Sequence, residues 1–133
     1  MNPVIRQYFD MVEVQLLHSP AVRSYLVIRH DIALLDGKLR IKAELMDGGV
    51  LECFEYVTES DGRIQLQRYS FHWQDRGGHL KQRWDNAPHY PHLPNVPHHV
   101  HDPDGLVRGV AEVPDTMTVL TTIEQTLLTN DEQ

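Results

Sequence analysis

Histidine and proline dominate the stretch from Arg83 to His101, which reads RWDNAPHYPHLPNVPHHVH. Imidazole exchanges protons near neutral pH without special tuning, so a group of histidines can supply a general acid and a general base. Prolines at positions 88, 91, 94 and 97 restrict the backbone and favour a stiff, extended segment. Histidine and proline also suit ordinary surface loops, which is the alternative interpretation. The histidines of this stretch are His89, His92, His98, His99 and His101.

One chemistry that fits these side chains is cleavage of RNA without a metal ion. That reaction needs a base for the 2′-hydroxyl, an acid for the leaving oxygen and a cation on the phosphate. Arg83 would supply the cation, and Glu55, on a predicted central strand, is an alternative base. The histidines that would act as acid and base are His89, His98, His99 and His101.

The same histidines also have spacings found in metal sites. The pairs His89-x-x-His92 and His99-x-His101 could place two or three imidazoles on one Zn²⁺, Ni²⁺ or Fe²⁺. The other features of a cupin signature are missing, because no glutamate lies three or four residues after His101 and only Asp104 comes close to that position. We therefore expect no metal and no other cofactor. If a metal is bound, the expected ligands are His89, His92, His99 and His101.

Strand alternation predicts which side chains can approach this stretch. Tyr69, Phe71 and Trp73 share one face of a predicted strand, where core packing is favoured over base stacking. Asp85-Asn86 follows the next strand, and these side chains should bond to the backbone two residues on and so position the loop. The other side chains expected to bind or position a substrate are Arg68, His72, Lys81 and Glu55.

The elements that carry these residues follow from hydrophobic periodicity. Asn2-Pro3 is typical of a helix start, and apolar residues then recur at steps of three and four until His18-Ser19-Pro20. From Val22 the period changes to two, and Asp-Gly or Gly-Gly steps, the first at Asp36-Gly37, indicate tight hairpins. The predicted strands are Arg23–Leu35, Lys38–Met46, Val50–Glu59, Arg63–Asp75 and His79–Trp84.

After these strands comes a long segment, 85–109, that we expect to be a functional loop. Pro114-Asp115 then opens a final helix whose predicted apolar face is Met117, Leu120, Ile123 and Leu127. The predicted fold is α+β: an N-terminal helix, a five-stranded antiparallel meander, a His/Pro-rich loop and a C-terminal helix. Residues 1–133 are expected to form one domain with a frayed tail at 130–133.

Composition limits the classes of function. The chain has 12 Lys and Arg against 19 Asp and Glu, a formal charge of −7. This charge disfavours electrostatic binding of nucleic acid over a broad surface, but it does not exclude a small phosphate site. The single cysteine, Cys53, has apolar neighbours and is predicted to be buried and inert. No apolar run approaches the ~20 residues of a membrane helix, and no signal peptide is evident, so we expect a cytoplasmic protein.

The blocks Arg83-Trp84-Asp85-Asn86-Ala87-Pro88-His89 and Pro97-His98-His99-Val100-His101 resemble the signature of the TumE-type toxin family. The preceding segment 69–74, YSFHWQ, is similar to the aromatic strand of that family. Val100 is a departure, because the family usually has lysine there. The resemblance implies a toxin from a bacterial or archaeal toxin–antitoxin module, with a helix-turn-helix antitoxin as its partner. It implies no particular reaction.

Three hypotheses follow for the function. The first is a toxin that inhibits translation by acting as a metal-independent ribonuclease, with RNA as its substrate. The second is a small β-rich enzyme that uses a bound metal, and the third is a toxin that acts by binding a cellular target without catalysis. The sequence is compatible with a homo-oligomer and gives no sign of membrane association.

Overall fold

A computed structural model of the chain describes residues 2–87, 98–109 and 113–131. Two helices flank a run of strands in chain order, which is the α+β arrangement that the sequence predicts. The elements are α1 (Pro3–His18), β1 (Val22–Ile32), β2 (Asp36–Leu45), β3 (Val50–Ser60), β4 (Arg63–Gln74), β5 (Leu80–Asp85), β6 (His99–His101), β7 (Val107–Gly109) and α2 (Thr116–Asp131).

All strands form one antiparallel sheet in which each strand lies beside its neighbours in sequence, so the predicted meander is confirmed. The predicted number of strands was wrong: within residues 2–87, 98–109 and 113–131 the sheet has seven, because β6 and β7 form inside the segment 85–109 that was expected to be a loop. Each of these strands has only three residues, too few to show a period of two in the sequence. They form because β5 offers an edge on which β6 can pair.

Helix α1 lies against one face of the sheet. The side chain of Asn2 accepts hydrogen bonds from the backbone N–H groups of Val4 and Ile5, which satisfies donors at the helix start as expected. The helix packs so closely on β2 that a Cβ on Gly37 would lie 2.8 Å from Ile5 Cγ2. Gly37 is therefore needed for this contact, and its predicted place in a tight turn was wrong because it pairs within β2.

Helix α2 begins after Asp115, whose carboxylate accepts a hydrogen bond from the backbone N–H of Thr118. Its buried face differs from the prediction at one position: Met117 is 54% exposed and Val119 is buried in its place. The helix extends to Asp131, two residues into the tail that was expected to fray. None of the helices in the described residues is long and apolar enough to cross a membrane.

The core lies between the helices and the face of the sheet that they cover. Tyr69, Phe71 and Trp73 are all buried there, which confirms core packing as the role of this aromatic set. Cys53 is also buried on that face, and burial raises the pKa of its thiol, as expected for an inert cysteine. The opposite face, here called the open face, carries the alternate side chains of every strand.

One carboxyl group lies inside the core. Glu55 on β3 is 1% exposed, and it accepts hydrogen bonds from the hydroxyls of Tyr8 on α1 (2.5 Å) and Thr116 on α2 (2.8 Å). Burial raises the pKa of Glu55, and the two hydroxyl donors oppose that rise. Glu55 therefore ties both helices to the sheet.

The substitution Glu55→Gln should change how stability depends on pH. Because the pKa of Glu55 is raised in the folded state, its contribution to stability is complete below its ordinary pKa and is lost as the pH rises through the folded value. A glutamine cannot ionise, so the variant should be more stable than the parent by about 1 kcal/mol at pH 8, with little difference at pH 4. Urea unfolding at both pH values measures this effect.

Glu52→Gln is the matched control, because Glu52 is an exposed residue of the same strand. Its unfolding free energy should follow that of the parent at both pH values. Identical pH dependence for the Glu55 variant and the parent would contradict a raised pKa at this position.

Candidate active site

Six polar side chains form two rows across the open face where β4, β5 and β6 lie side by side. In the first row His72, Arg83 and His101 are register partners, one from each strand. In the second row Ser70, Asp85 and His99 are register partners in the same way. Strand alternation puts both rows on the same face, and pairing of the strands makes neighbours of Arg83 and His101, which are 18 positions apart in the sequence.

The carboxylate of Asp85 is the centre of this arrangement. Its Oδ1 lies 2.6 Å from His99 Nε2, and it also accepts a hydrogen bond from the backbone N–H of Ala87 at 3.2 Å. Its Oδ2 accepts from Arg83 Nε at 3.1 Å and lies 3.3 Å from His101 Nε2. Two hydrogen-bond donors and two imidazole nitrogens thus converge on two oxygens, as many groups as a carboxylate has acceptor sites.

Arg83 is held from two sides and still reaches solvent. Besides its contact with Asp85, its NH1 donates to Nδ1 of His72 at 3.2 Å, while the side chain remains 38% exposed. Burial and the adjacent guanidinium both lower the pKa of His72. A neutral His72 that accepts on Nδ1 carries its proton on Nε2, so it can donate a hydrogen bond from that nitrogen.

The two histidines beside Asp85 differ in their exposure. His99 is 2% exposed, whereas His101 is 22% exposed. Burial lowers the pKa of His101, and the nearby Asp85 carboxylate opposes this effect. The contact with Asp85 favours the tautomer with a proton on Nε2, which leaves the lone pair of neutral His101 on Nδ1. His101 is therefore the better candidate of the two for proton transfer with a substrate.

His98 lies apart from the other two histidines of its motif. Its ring stacks on Tyr69 with centroids 5.7 Å apart, and its Nδ1 lies 2.9 Å from the tyrosine hydroxyl. Tyr69 belongs to the core face, so His98 and His99 point to opposite sides of the sheet. Burial lowers the pKa of His98. The structure thus separates His98 from the rows around Asp85.

Asn86 has a structural role. The sequence predicted that Asp85 and Asn86 would bond to the backbone two residues on, and Asp85 makes this bond to Ala87. Asn86 instead reaches across to β4, where it accepts from the N–H of Tyr69 at 3.0 Å and donates to the carbonyl of Gln67 at 2.9 Å. These bonds pair β4 with the chain just beyond the end of β5, next to the register irregularity at Gln67, between Leu66 and Arg68.

The remaining expected site residues that the structure describes, Glu55, Arg68 and Lys81, make no contact with Asp85 among those found. Glu55 lies on the helix-covered face, and Arg68 lies on the open face opposite Tyr56. Lys81 has its ammonium group 5.7 Å from the centroid of the Trp73 ring. The expected roles of His89 and His92 fall outside the described residues.

Three of the grouped residues could hold a metal ion. The ligand atoms of Asp85, His99 and His101 all lie within 4.8 Å of one another. Two imidazoles and one carboxylate suit Zn²⁺ or Fe²⁺. This set includes two of the four histidines expected as ligands. The carboxylate comes from Asp85 and not from Asp104, which came closest to the position expected in a cupin signature.

The sequence did not indicate Ser70 as a member of the site or Asp85 as its centre. Alternation in the segment 69–73 could have placed Ser70 beside His72, because residues two apart in a strand share a face. The central position of Asp85 depends on β6 pairing with β5, and no local pattern in the sequence indicates that pairing.

The comparisons with known proteins agree with the resemblance noted in the sequence. A family model described as Toxin TumE matches residues 12–129, most of the chain. No curated protein and no solved structure matches the chain.

The substitution Asn86→Ala should destabilise the fold. It removes two hydrogen bonds and leaves a buried N–H and a carbonyl of β4 without their partner, so the free energy of unfolding should fall by about 2 kcal/mol. Chemical denaturation measures the change. Gln67→Ala is the control. It removes the side chain of an exposed residue of β4 and should change stability by less than about 0.5 kcal/mol. Equal stability of the two variants would refute the role given to Asn86.

Proposed function

The chain belongs to the TumE toxin family, which makes it a toxin of a toxin–antitoxin system, and we propose that it inhibits translation by cleaving RNA without a metal ion. The observation that supports this proposal most strongly is the carboxylate of Asp85, which holds a guanidinium and two imidazoles in one group. These are the side chains that RNA cleavage through the 2′-hydroxyl requires.

Arg83 would bind the scissile phosphate. Its guanidinium is oriented by Asp85 and His72 and remains partly exposed, so it can meet an anion without a change of side-chain conformation. Such preorganised cations stabilise the charge that develops on phosphate oxygens in the transition state. His72, in the tautomer with a proton on Nε2, would add a hydrogen bond to the same phosphate.

His101 would act as the general base. Its Nδ1 takes the proton from the 2′-hydroxyl, the 2′-oxygen forms a bond to phosphorus, and the bond from phosphorus to the 5′-oxygen breaks. Asp85 holds the ring in the required tautomer and stabilises the imidazolium that forms. His99, almost fully buried, would support Asp85 rather than contact RNA.

The leaving 5′-oxygen needs a proton from a general acid. His89, in the motif block 83–89, is the candidate for this role. Transfer of its proton would complete the reaction and give a 2′,3′-cyclic phosphate and a 5′-hydroxyl. The proposed antitoxin is a helix-turn-helix protein encoded beside the toxin, and the proposed place of action is the cytoplasm.

The substitution His101→Ala should reduce RNA cleavage by about 100-fold or more, because it removes the base. Arg83→Gln should cause a similar loss because it removes the cation on the phosphate. The measurement uses toxin separated from its antitoxin, in EDTA, with a labelled oligoribonucleotide. The parent should cleave it, and a copy with 2′-deoxy nucleotides at the cleavage site should remain intact.

His79→Ala is the matched control, because the imidazole of His79 is 82% exposed and lies in the turn before β5. This variant should cleave RNA at the parental rate. Full cleavage by the His101 variant would remove His101 from the mechanism. Failure of the parent to cleave any RNA would remove the proposed reaction.

The pH profile of cleavage should reflect the lowered pKa of His101. A base acts in its deprotonated form, so kcat/KM should fall as the pH drops through the pKa of His101. Because burial lowers that pKa, the half-maximal point should lie below the ordinary value of 6.5. Initial rates between pH 4.5 and 8 measure this limb, and a half-maximal point well above 6.5 would contradict the assignment.

A second candidate function is metal-dependent hydrolysis, favoured by the closeness of the ligand atoms of Asp85, His99 and His101. The bonds from Arg83 and Ala87 to the same carboxylate oxygens argue against it, since a bound cation would compete with these donors. The cleavage experiment separates the two candidates. A metal-dependent enzyme would lose activity in EDTA and regain it with Zn²⁺ or Fe²⁺.

A further inference from the structure

The open face extends beyond the candidate site across the middle of the sheet. From the second row of the site, Ser70 on β4 is the register partner of Phe54 on β3, which is in turn the partner of Arg40 on β2. One step along the strands, Tyr56 on β3 lies between Arg68 on β4 and Lys38 on β2. A continuous polar and aromatic surface thus leads from Asp85 to β2.

The open face differs in charge from the chain as a whole. The chain has 12 Lys and Arg against 19 Asp and Glu. Among the described residues, register places more basic than acidic side chains on this face. The basic ones are Arg29, Lys38, Arg40, Lys42, Arg63, Arg68 and Arg83, and the acidic ones are Asp31, Asp36, Glu44, Glu52 and Asp85.

Two aromatic rings lie among these cations. The guanidinium of Arg40 is 4.6 Å from the centroid of the Phe54 ring, and the ammonium of Lys38 is 5.5 Å from that of the Tyr56 ring. Both rings are partly exposed, in contrast to the buried aromatic residues on the helix-covered face. The Tyr56 hydroxyl donates to Asp36 at 3.0 Å, which fixes the ring at its polar end.

From this surface we propose that the open face of β2, β3 and β4 binds single-stranded RNA and leads it to the site around Asp85. Bases displace the cations from the Phe54 and Tyr56 rings and stack in their place. Arg40 and Lys38, together with Arg68, then pair with the neighbouring phosphates. This inference rests on the proposed function for the identity of the reaction, but it makes its own claim about binding.

The dimensions of the sheet suit a short strand of RNA. Adjacent strands lie about 4.8 Å apart, so β2 and β5 are separated by roughly 14 Å. A strand that crosses the sheet in this direction meets the aromatic rings before it reaches Arg83. Stacking on exposed rings requires unpaired bases, because bases in a duplex already stack on one another. The surface therefore favours single strands over duplexes.

The binding experiment uses a fluorescent oligoribonucleotide of twelve residues and measures anisotropy. His101→Ala is added to the parent and to every variant in this experiment so that cleavage does not interfere. Phe54→Leu and Tyr56→Leu should each weaken RNA binding about tenfold, because each removes a stacking surface. Tyr56→Phe keeps the ring and should bind RNA as the parent does. Thermal melting shows whether each variant is folded.

The contribution of charge is measured by the dependence of affinity on salt. The double variant Lys38→Gln, Arg40→Gln should reduce the slope of log K against log salt by about 1.4, the value for two phosphate contacts on a single strand. Arg6→Gln is the matched control, because Arg6 is an exposed residue of α1, on the other side of the sheet. Its slope should equal that of the parent.

The outcomes separate this inference from the proposed function. Ring variants that are folded and bind RNA with parental affinity would overturn the inference, even if the parent cleaves RNA. The same result combined with loss of antitoxin binding would assign the face to a protein partner and would also overturn it. Weaker RNA binding by the ring variants would support the inference, even if the parent cleaves no RNA.

Discussion

The contacts of one carboxylate, that of Asp85, determine the geometry of the candidate site. Its two oxygens receive a guanidinium N–H and a backbone N–H and lie against two imidazole nitrogens. The carboxylate is almost fully buried, so removing any one of these contacts would leave its negative charge less well compensated inside the protein. The orientation of Arg83 and of His101 therefore depends on Asp85, and so does any chemistry that these two side chains perform.

Each face of the sheet holds a buried carboxyl group, and the two groups have different kinds of partner. Glu55, on the face that α1 and α2 cover, contacts the neutral hydroxyls of Tyr8 and Thr116, and burial raises its pKa. Asp85, on the open face, contacts a permanent cation and two groups that can become cations. One carboxyl group thus joins helices to the sheet, whereas the other gathers a guanidinium and two imidazoles on the open face.

Short strands hold the site together. β6 has only three residues, yet its pairing with β5 sets His99 opposite Asp85 and His101 opposite Arg83. A slip of one residue would move both imidazoles to the core face and bring His98 in their place, since side chains alternate along a strand. Val100 is fully buried on the core face beside Trp84, which opposes such a slip. The apolar residue between two histidines therefore protects the register of the site.

The sequence by itself determined the α+β class, the two helices, the first five strands to within three residues at each end, and the core role of Tyr69, Phe71 and Trp73. Periodicity and turn residues are local signals, so a single sequence can show them. It also gave the family through two motif blocks, Arg83–His89 and Pro97–His101. Only the tertiary structure decided that His99 and His101 join Asp85 while His98 turns to Tyr69 and Glu55 lies in the core. Those outcomes depend on strand register and on the face that the helices cover, and both are set by contacts between distant parts of the chain.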